Sequence, residues 1–462
     1  MSTTDLHNSL FDTIVALSTP MGKGALAVIR VSGEQAIDAV IPLFRSMKDQ
    51  SSLSREYLKI KKRLFGIITD NEKKIDEVIL SFYEAPHSYT GEDVIEISCH
   101  CNPFIVREII QLILKKARIA KPGEFTRRAF FNNRIDLTRA EAVGDLLNAR
   151  TEFAHHAALS QLEGSLYKKI AKLLDELTSY RIELELEIDF SEQDLPEINT
   201  DKLRLNLLLL QKDLEKLLAT GKEGMIIREG LKVCLTGAPN VGKSSLFNYL
   251  LTTERAIVTS IPGTTRDYLE ESLSIDGYLV KLYDTAGLRA ATEEVEILGI
   301  ARTQELIKQA EQVVYIEDGS QSSNEFELQG FNKEDPRVIK VLNKADIIDK
   351  EKIDEYKEQG FIICSVKTGQ GIDVIKERMI GGMSITDDMI DSGILSNLRQ
   401  IEAVEKSIRG IEHAIKSLDY NLGHEFTAFD LKEASAALEE IIGKITTDDM
   451  LNRIFADFCI GK

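Results

Sequence analysis

The string Gly237-Ala-Pro-Asn240-Val241-Gly242-Lys243-Ser244 has the spacing of a phosphate-binding loop. It follows the apolar run Val233-Cys-Leu235 and opens the helical run Ser245 to Leu251, the strand–loop–helix context such a loop needs. Its glycines let backbone N–H groups turn toward phosphate oxygens, and a helix N-terminus adds a favourable dipole. Lys243 would neutralise the β- and γ-phosphates, and Ser244 would offer an oxygen to Mg²⁺. Four more strings follow in order. In Thr264-Thr265-Arg266 a threonine can complete the Mg²⁺ shell. In Asp284-Thr285-Ala286-Gly287 the aspartate can hold magnesium, and the Gly287 N–H can meet the γ-phosphate. Asn343-Lys344-Ala345-Asp346 and Ser365-Val366-Lys367 close later strands. Guanine presents N1–H and N2–H₂ side by side, two donors that the Asp346 carboxylate can accept together, which adenine cannot match. Five elements at strand C-termini predict a guanine-nucleotide site at the switch point of an open α/β sheet.

The residue that orients the attacking water is less legible. The position after Gly287 is Leu288, which cannot hydrogen bond, and the acidic trio Glu293, Glu294 and Glu296 lies nearby, not separable on composition. Asn240 could bind a monovalent cation beside the phosphates, or merely shape the turn. Two charges interrupt apolar runs far upstream: Arg30 after Leu26-Ala-Val-Ile29, and Glu96 between Ile95 and Ile97. Such charges are costly unless they pair with each other or face a ligand.

These residues need scaffolding of three textures. Residues 13–131 alternate short apolar runs (Ala25 to Ile29, Val78 to Phe82) with a helical stretch, Ile105 to Ala117, as an α+β domain does. From about Asp136 to Thr220 apolar residues recur at three- and four-residue spacing through Ala158, Leu162, Leu166, Ile170, Leu173, Leu174 and Leu177, predicting one amphipathic helix. Ile182 to Ile188 alternates with period two, but its Leu and Glu content favours helix. Gly221-Lys-Glu-Gly224 reads as a linker. From Gly230 to Gly382 strands and helices alternate, with runs at Val233, Leu279, Val313, Val338 and Phe361. The end, from Leu395, is helical again, so the α/β unit is expected to be inserted into a helical domain.

Composition excludes several classes. The 462 residues carry 57 basic and 75 acidic side chains, a formal charge of −18. Nucleic acid would repel such a chain on average, so RNA needs a local basic face. The stretch Arg107 to Arg139, nine basic residues against three acidic, is the candidate, against the simpler reading of a solvated surface. No apolar run approaches a membrane span. Five scattered cysteines and a first segment without a secretory pattern point to a reducing, cytoplasmic setting.

The chain resembles the MnmE (TrmE) family of tRNA wobble-uridine modification GTPases over nearly its whole length. The resemblance rests on Asp12-Thr-Ile-Val-Ala16, Gly91-Glu-Asp-Val94, Lys121-Pro-Gly-Glu-Phe125, Arg128-Ala-Phe130, Ile261-Pro-Gly-Thr-Thr-Arg-Asp267, Asp284-Thr-Ala-Gly-Leu-Arg289 and the closing Phe458-Cys-Ile-Gly-Lys462. It implies a multidomain fold: an α+β folate-binding and dimerisation domain (1–132), an α-helical domain in two parts (133–229 and 384–462), and an inserted Ras-like α/β P-loop GTPase domain (230–383).

It also implies that Asn240, Thr259, Ile261 and Thr264 hold K⁺, and that Ser244 and Thr265 hold Mg²⁺. The nucleotide would be lined further by Ser245, Ser260, Pro262 and Gly263. Glu296 would be the catalytic glutamate, and Cys459 would act in the modification chemistry. Arg30, Glu96, Arg134 and Lys462 would bind a tetrahydrofolate derivative, 5,10-methylene- or 5-formyl-tetrahydrofolate. The implied partners are a second copy of the chain, an MnmG-type flavoprotein carrying FAD in a heterotetramer, and tRNA. Three departures stand out. His100-Cys101-Asn102 replaces the usual His-Gly-Gly, so the loop backbone is expected to differ. Arg134 stands where lysine can be found. The polar stretch after Glu317-Asp318 suggests a reduced helix. The competing reading is a ribosome- or RNA-associated assembly GTPase without modification chemistry.

Overall fold

The computed structural model describes residues 12–47, 54–189, 198–254, 270–284, 304–321, 332–383, 385–456 and 458–462. The chain divides into two compact units, Met1–Gly144 with Glu439–Lys462, and Asp145–Leu438.

In the first unit, period-two burial builds a seven-stranded sheet. Its strands are β1 (Ile14–Leu17), β2 (Leu26–Ser32), β3 (Phe44–Ser46), β4 (Arg63–Asp70), β5 (Lys73–Tyr83), β6 (Val94–His100) and β7 (Arg118–Ile119), in the order β3-β4-β5-β6-β2-β1-β7. β5 shows the logic: Val78, Leu80 and Phe82 are buried, while Glu77, Ile79 and Tyr83 stay open. Helix α1 (Pro103–Ile113) covers the buried face, adding Val106, Ile109 and Ile113 to a core with Ile29, Leu80 and Ile97. It ends four residues earlier than the predicted stretch. Asn102 caps it by accepting the Phe104 N–H, with φ −118°, and Cys101 is not left-handed either. The His100-Cys101-Asn102 departure therefore sits on ordinary backbone that side chains tolerate. Helix α2 (Glu124–Phe131) and the helix Asp448–Ala456 complete this unit.

The second unit begins with helices α3 (Glu152–Leu162), α4 (Ser165–Asp189), α5 (Thr200–Ala219) and α6 (Gly221–Glu229). The predicted single helix through Ala158 and Leu177 is broken: Gly164 takes φ +90° between α3 and α4, which glycine alone adopts freely. The alternating stretch Ile182 to Ile188 is helical, within α4. Gly221 to Gly224 is the first turn of α6 and not a linker. Its glycines are there for packing: a methyl on Gly224 would overlap the Leu395 carbonyl, and one on Gly221 would come within 2.8 Å of Ile401. Gly224→Ala is therefore expected to destabilise this unit by about 1–3 kcal/mol, readable as a lowered thermal midpoint.

A six-stranded sheet follows, with β8 (Leu231–Gly237), β9 (Glu270–Ile275), β10 (Tyr278–Asp284), β11 (Gln312–Asp318), β12 (Val338–Asn343) and β13 (Ile362–Ile363), in the order β13-β12-β11-β8-β10-β9. All neighbours are parallel except the β9–β10 hairpin. Each predicted strand run contains a strand, though the run from Phe361 to Cys364 is strand only at Ile362–Ile363, and Ser245 to Leu251 lies in helix α7 (Lys243–Thr253). The chain returns to a long helix, α8 (Leu398–Asp419), which packs on α5. No helix among the described residues is long and apolar enough to cross a membrane.

Candidate functional site

The second unit carries the phosphate-binding loop between β8 and α7. Gly237 takes φ +143°, where a side chain would overlap the Ile316 carbonyl, and Gly242 takes φ +104° against the Asn343 amide. Asn240 is left-handed at φ +63°, a conformation asparagine tolerates better than most residues. Lys243 is buried, with Nζ donating to the Gly237 and Ala238 carbonyls at 2.9 and 2.6 Å, so its ammonium lies inside the cradle. Val241 precedes the cradle's last glycine; Ser244 and Ser245 form the first turn of α7.

Asn343 ties this loop to the two base-reading strings. Its Nδ2 donates to the Val241 carbonyl at 2.9 Å, and its Oδ1 accepts the Val366 N–H at 3.2 Å. Asp346 accepts the Ser365 hydroxyl at 2.7 Å, and its other oxygen faces Lys367 Nζ at 4.0 Å. The Ser365 hydrogen bond, reinforced by Lys367 and Lys344, holds its carboxyl below the usual carboxylate range. It is thus ionised at neutral pH, as an acceptor of two guanine donors must be. Lys344 and Ala345 begin the turn carrying Asp346, with Lys344 left-handed at φ +66°. Asn240, Val241, Gly242, Lys243, Ser244, Asn343, Asp346, Ser365 and Val366 are thereby gathered at one sheet edge.

The cradle fits a phosphate chain, and Ser244 and Asn240 offer neutral oxygens suited to Mg²⁺ and K⁺. Asp284 closes β10. Thr259, Ser260, Ile261, Pro262, Gly263, Thr264, Thr265, Thr285, Ala286, Gly287 and Glu296 lie outside the described residues, as does most of the polar stretch after Asp318.

In the first unit, Arg30 and Glu96 are direct cross-strand partners in the β2–β6 register. Arg30 Nε and Nη2 both donate to Glu96 Oε1, at 2.9 and 2.8 Å. Among the described residues Glu96 Oε2 accepts the Tyr83 hydroxyl, at 3.4 Å. Both alternatives for these charges hold together: they pair, and they remain partly open, at 15% and 22% exposure. The guanidinium lies over the rings of Tyr89 and Phe125, 5.5 and 5.6 Å from their centroids. Arg30 Nη1 also donates to the Gly461 carbonyl at 3.3 Å, while the Lys462 and Cys459 carbonyls accept the Phe125 and Gly123 N–H groups. The last four residues therefore lie against the Arg30 site, with Cys459 exposed. Arg134 donates through Nε to the Ser88 carbonyl at 3.1 Å, next to Tyr89. Sequence reasoning missed Tyr89 and Phe125 as neighbours of Arg30. Both lie in or beside strings already singled out, but only strand register brings them together.

The stretch Arg107 to Arg139 is largely committed within the protein. Arg118 pairs with Glu124 and Asp12, Arg128 with Glu92 and Glu124, Arg127 with Asp448, and Arg139 with Asp136. Lys116 and Arg134 donate to backbone carbonyls. Most of this stretch thus serves packing and is not a free basic face.

A parallel sheet whose C-terminal edge links a glycine-rich phosphate loop to an Asn-Lys-x-Asp turn, set among helices, is the framework of a GTPase. Residues 137–459 match the model of the MnmE helical domain, and residues 13–134 match that of the GTP-binding protein TrmE N-terminus. The tRNA modification GTPase MnmE of Clostridioides difficile (strain 630) is 42% identical over 98% of this chain and 99% of its own length. That of Aquifex aeolicus (strain VF5) is 38% identical over 98% of this chain and all of its own. The chain belongs to the MnmE (TrmE) family of tRNA modification GTPases.

Proposed function

We propose that this GTPase couples GTP hydrolysis to installing an aminomethyl or carboxymethylaminomethyl group at C5 of the wobble uridine, with a tetrahydrofolate derivative bound at Arg30, Glu96, Arg134 and Lys462. The observation that carries the reading is the partly exposed Arg30–Glu96 pair, with the chain's own Cys459–Lys462 tail folded against it. A pteridine presents an amide N–H beside an amino group, which a carboxylate such as Glu96 can accept, and the glutamate tail of a folate suits an arginine. The folate would supply the one-carbon unit, and an MnmG-type flavoprotein with FAD would complete the redox chemistry. Cys459 is exposed at the same tail, as a residue acting on an incoming base must be.

Homodimerisation through the first unit is supported by the open face of its sheet, where Phe65 and Ile79 face each other across β4 and β5 at 53% and 47% exposure. In the second unit, Mg²⁺ held by Ser244 and Thr265 and K⁺ held by Asn240, Thr259, Ile261 and Thr264 would offset charge developing on the phosphates. Glu296 would orient the attacking water. Glu296→Ala is expected to retain GTP affinity and lose about 100-fold in kcat; wild-type turnover would remove the assignment. Hydrolysis is expected to run faster in K⁺ than in Na⁺ at equal ionic strength, and equal rates would remove the cation role of Asn240. The decisive experiment is mass spectrometry of wobble uridines in tRNA from cells lacking the protein. Loss of the C5 substituent is expected, and an unchanged profile overturns the proposal.

A further inference from the structure

Asp318 is the last residue of β11, which lies between β8 and β12, so it stands between the phosphate loop and the Asn343–Asp346 turn. It pairs in register with Asn343. Its side chain is 4% exposed, and a carboxylate buried to that degree must be compensated. Both oxygens are. Oδ2 takes Lys344 Nζ at 2.6 Å, and Oδ1 takes the Ser320 N–H at 2.9 Å and the Ser320 hydroxyl at 2.6 Å. Burial alone would raise its pKa, but the Lys344 and Ser320 hydrogen bonds outweigh it and hold the carboxyl below its usual range.

The turn beyond it is fixed as well. The Gly319 N–H donates to the Asn343 carbonyl at 3.1 Å, and Lys352 Nζ donates to the Gly319 and Gln321 carbonyls at 2.7 and 3.0 Å. A methyl on Gly319 would overlap Ile348. Asp318 is therefore a rigid acceptor.

The consequence falls on Lys344. Its backbone follows the end of β12 and opens the turn that carries Asp346, and its ammonium is held at the end of the neighbouring strand, so its four-carbon stem spans the gap between the two strand ends. Lysine stems cover apolar surface when their heads are engaged elsewhere. A stem so tethered is a flat apolar ledge for the face of a purine whose edge Asp346 reads. Untethered, it would have to surrender rotamer entropy on binding.

We infer that Asp318 is a positioning residue for nucleotide binding, holding Lys344 extended beneath the purine and so raising affinity for purine nucleotides without choosing among them. The inference rests on the assignment of Asn343–Asp346 to the guanine base. With both oxygens engaged, Asp318 acts through Lys344 and not on the nucleotide itself.

The test uses the full chain, with Kd for GDP and inosine diphosphate measured by titration and kcat at saturating GTP. Asp318→Asn, nearly isosteric, is expected to weaken both diphosphates about tenfold, leaving their ratio and kcat within about twofold. In a Lys344→Met background, where the stem remains and the head is gone, adding Asp318→Asn is expected to cost no further affinity. An unchanged Kd, an altered ratio, a fall in kcat alone, or an equal loss in the Lys344→Met background would each overturn the inference. Asp346→Asn tests the underlying assignment separately, by inverting preference from GDP to xanthosine diphosphate. If that inversion fails, the guanine reading fails, whatever Asp318 does.

Discussion

Arg128→Ala is expected to destabilise the first unit by about 3–5 kcal/mol, the cost of leaving buried charges without their partner. Arg128 is 1% exposed and holds two carboxylates, Glu92 at 3.1 Å and Glu124 at 3.2 Å. Glu124 is itself 7% exposed and also takes Arg118 Nη2 at 2.6 Å. Removing the guanidinium leaves a cavity and two under-compensated anions, whereas Arg128→Lys keeps a charge without the fork and should fall between. Urea unfolding of the full chain, following the transition of the first unit, gives the number. A loss below about 1 kcal/mol would mean that water or a shifted lysine replaces Arg128 without penalty.

The pH dependence has a definite sign. Burial alone would raise the Glu124 pKa, but the hydrogen bonds from Arg118 and the Lys121 N–H, with the charge of Arg128, bring it below its ordinary value. A carboxyl depressed in the folded state contributes stability above its unfolded pKa, and that contribution is lost as pH falls through the folded value. The wild-type protein should therefore lose stability on acidification below the ordinary carboxylate range. Arg128→Ala should show a shallower loss there, because one of the charges depressing Glu124 is gone. Function should follow, since Glu92 also accepts the Ser32 hydroxyl at 2.7 Å and anchors the loop carrying Ser88 and Tyr89 beside Arg30. On the proposed folate assignment, a tetrahydrofolate titration of Arg128→Ala is thus expected to show weakened binding.

The two sites differ in how far the amino-acid sequence disclosed them. The described parts of the candidate nucleotide site were legible because they sit at strand ends in chain order, and each string carries its own chemistry: glycines for phosphate, Asp346 for a paired donor. The Arg30 site was legible only as two misplaced charges. Their pairing depends on register between β2 and β6, 66 residues apart, and no local pattern encodes that. The approach of Gly461 to Arg30, 431 residues away, is further out of reach. Helix limits failed where glycine changed roles. Gly164 ends an amphipathic pattern that its neighbours would have continued, while Gly221 and Gly224, which resemble a linker, are small so that α6 can approach Leu395 and Ile401. The same residue type marks a break in one place and a close contact in the other, and only tertiary packing separates the two.

Gly242→Ala is expected to lower affinity for GTP and GDP by about 100-fold while leaving the first unit's unfolding transition unchanged. Two costs combine. At φ +104° an alanine is strained by about 1–2 kcal/mol. Its Cβ would also overlap the Asn343 Nδ2. Asn343 is 4% exposed and cannot retreat to solvent; moving it breaks the bond to the Val241 carbonyl and strains the one from the Val366 N–H. Leaving such buried groups unsatisfied costs about 1–3 kcal/mol. Together these reach about 3 kcal/mol, which is about 100-fold in Kd. The effect should extend beyond phosphate contacts, because Asn343 joins the phosphate loop to the turn carrying Asp346. Discrimination between guanosine and inosine diphosphates should therefore fall in Gly242→Ala, as it should not in a variant altered only at the phosphates. If Gly242→Ala binds GDP normally, or loses affinity with its base discrimination intact, then the two halves of the site are not coupled through Asn343.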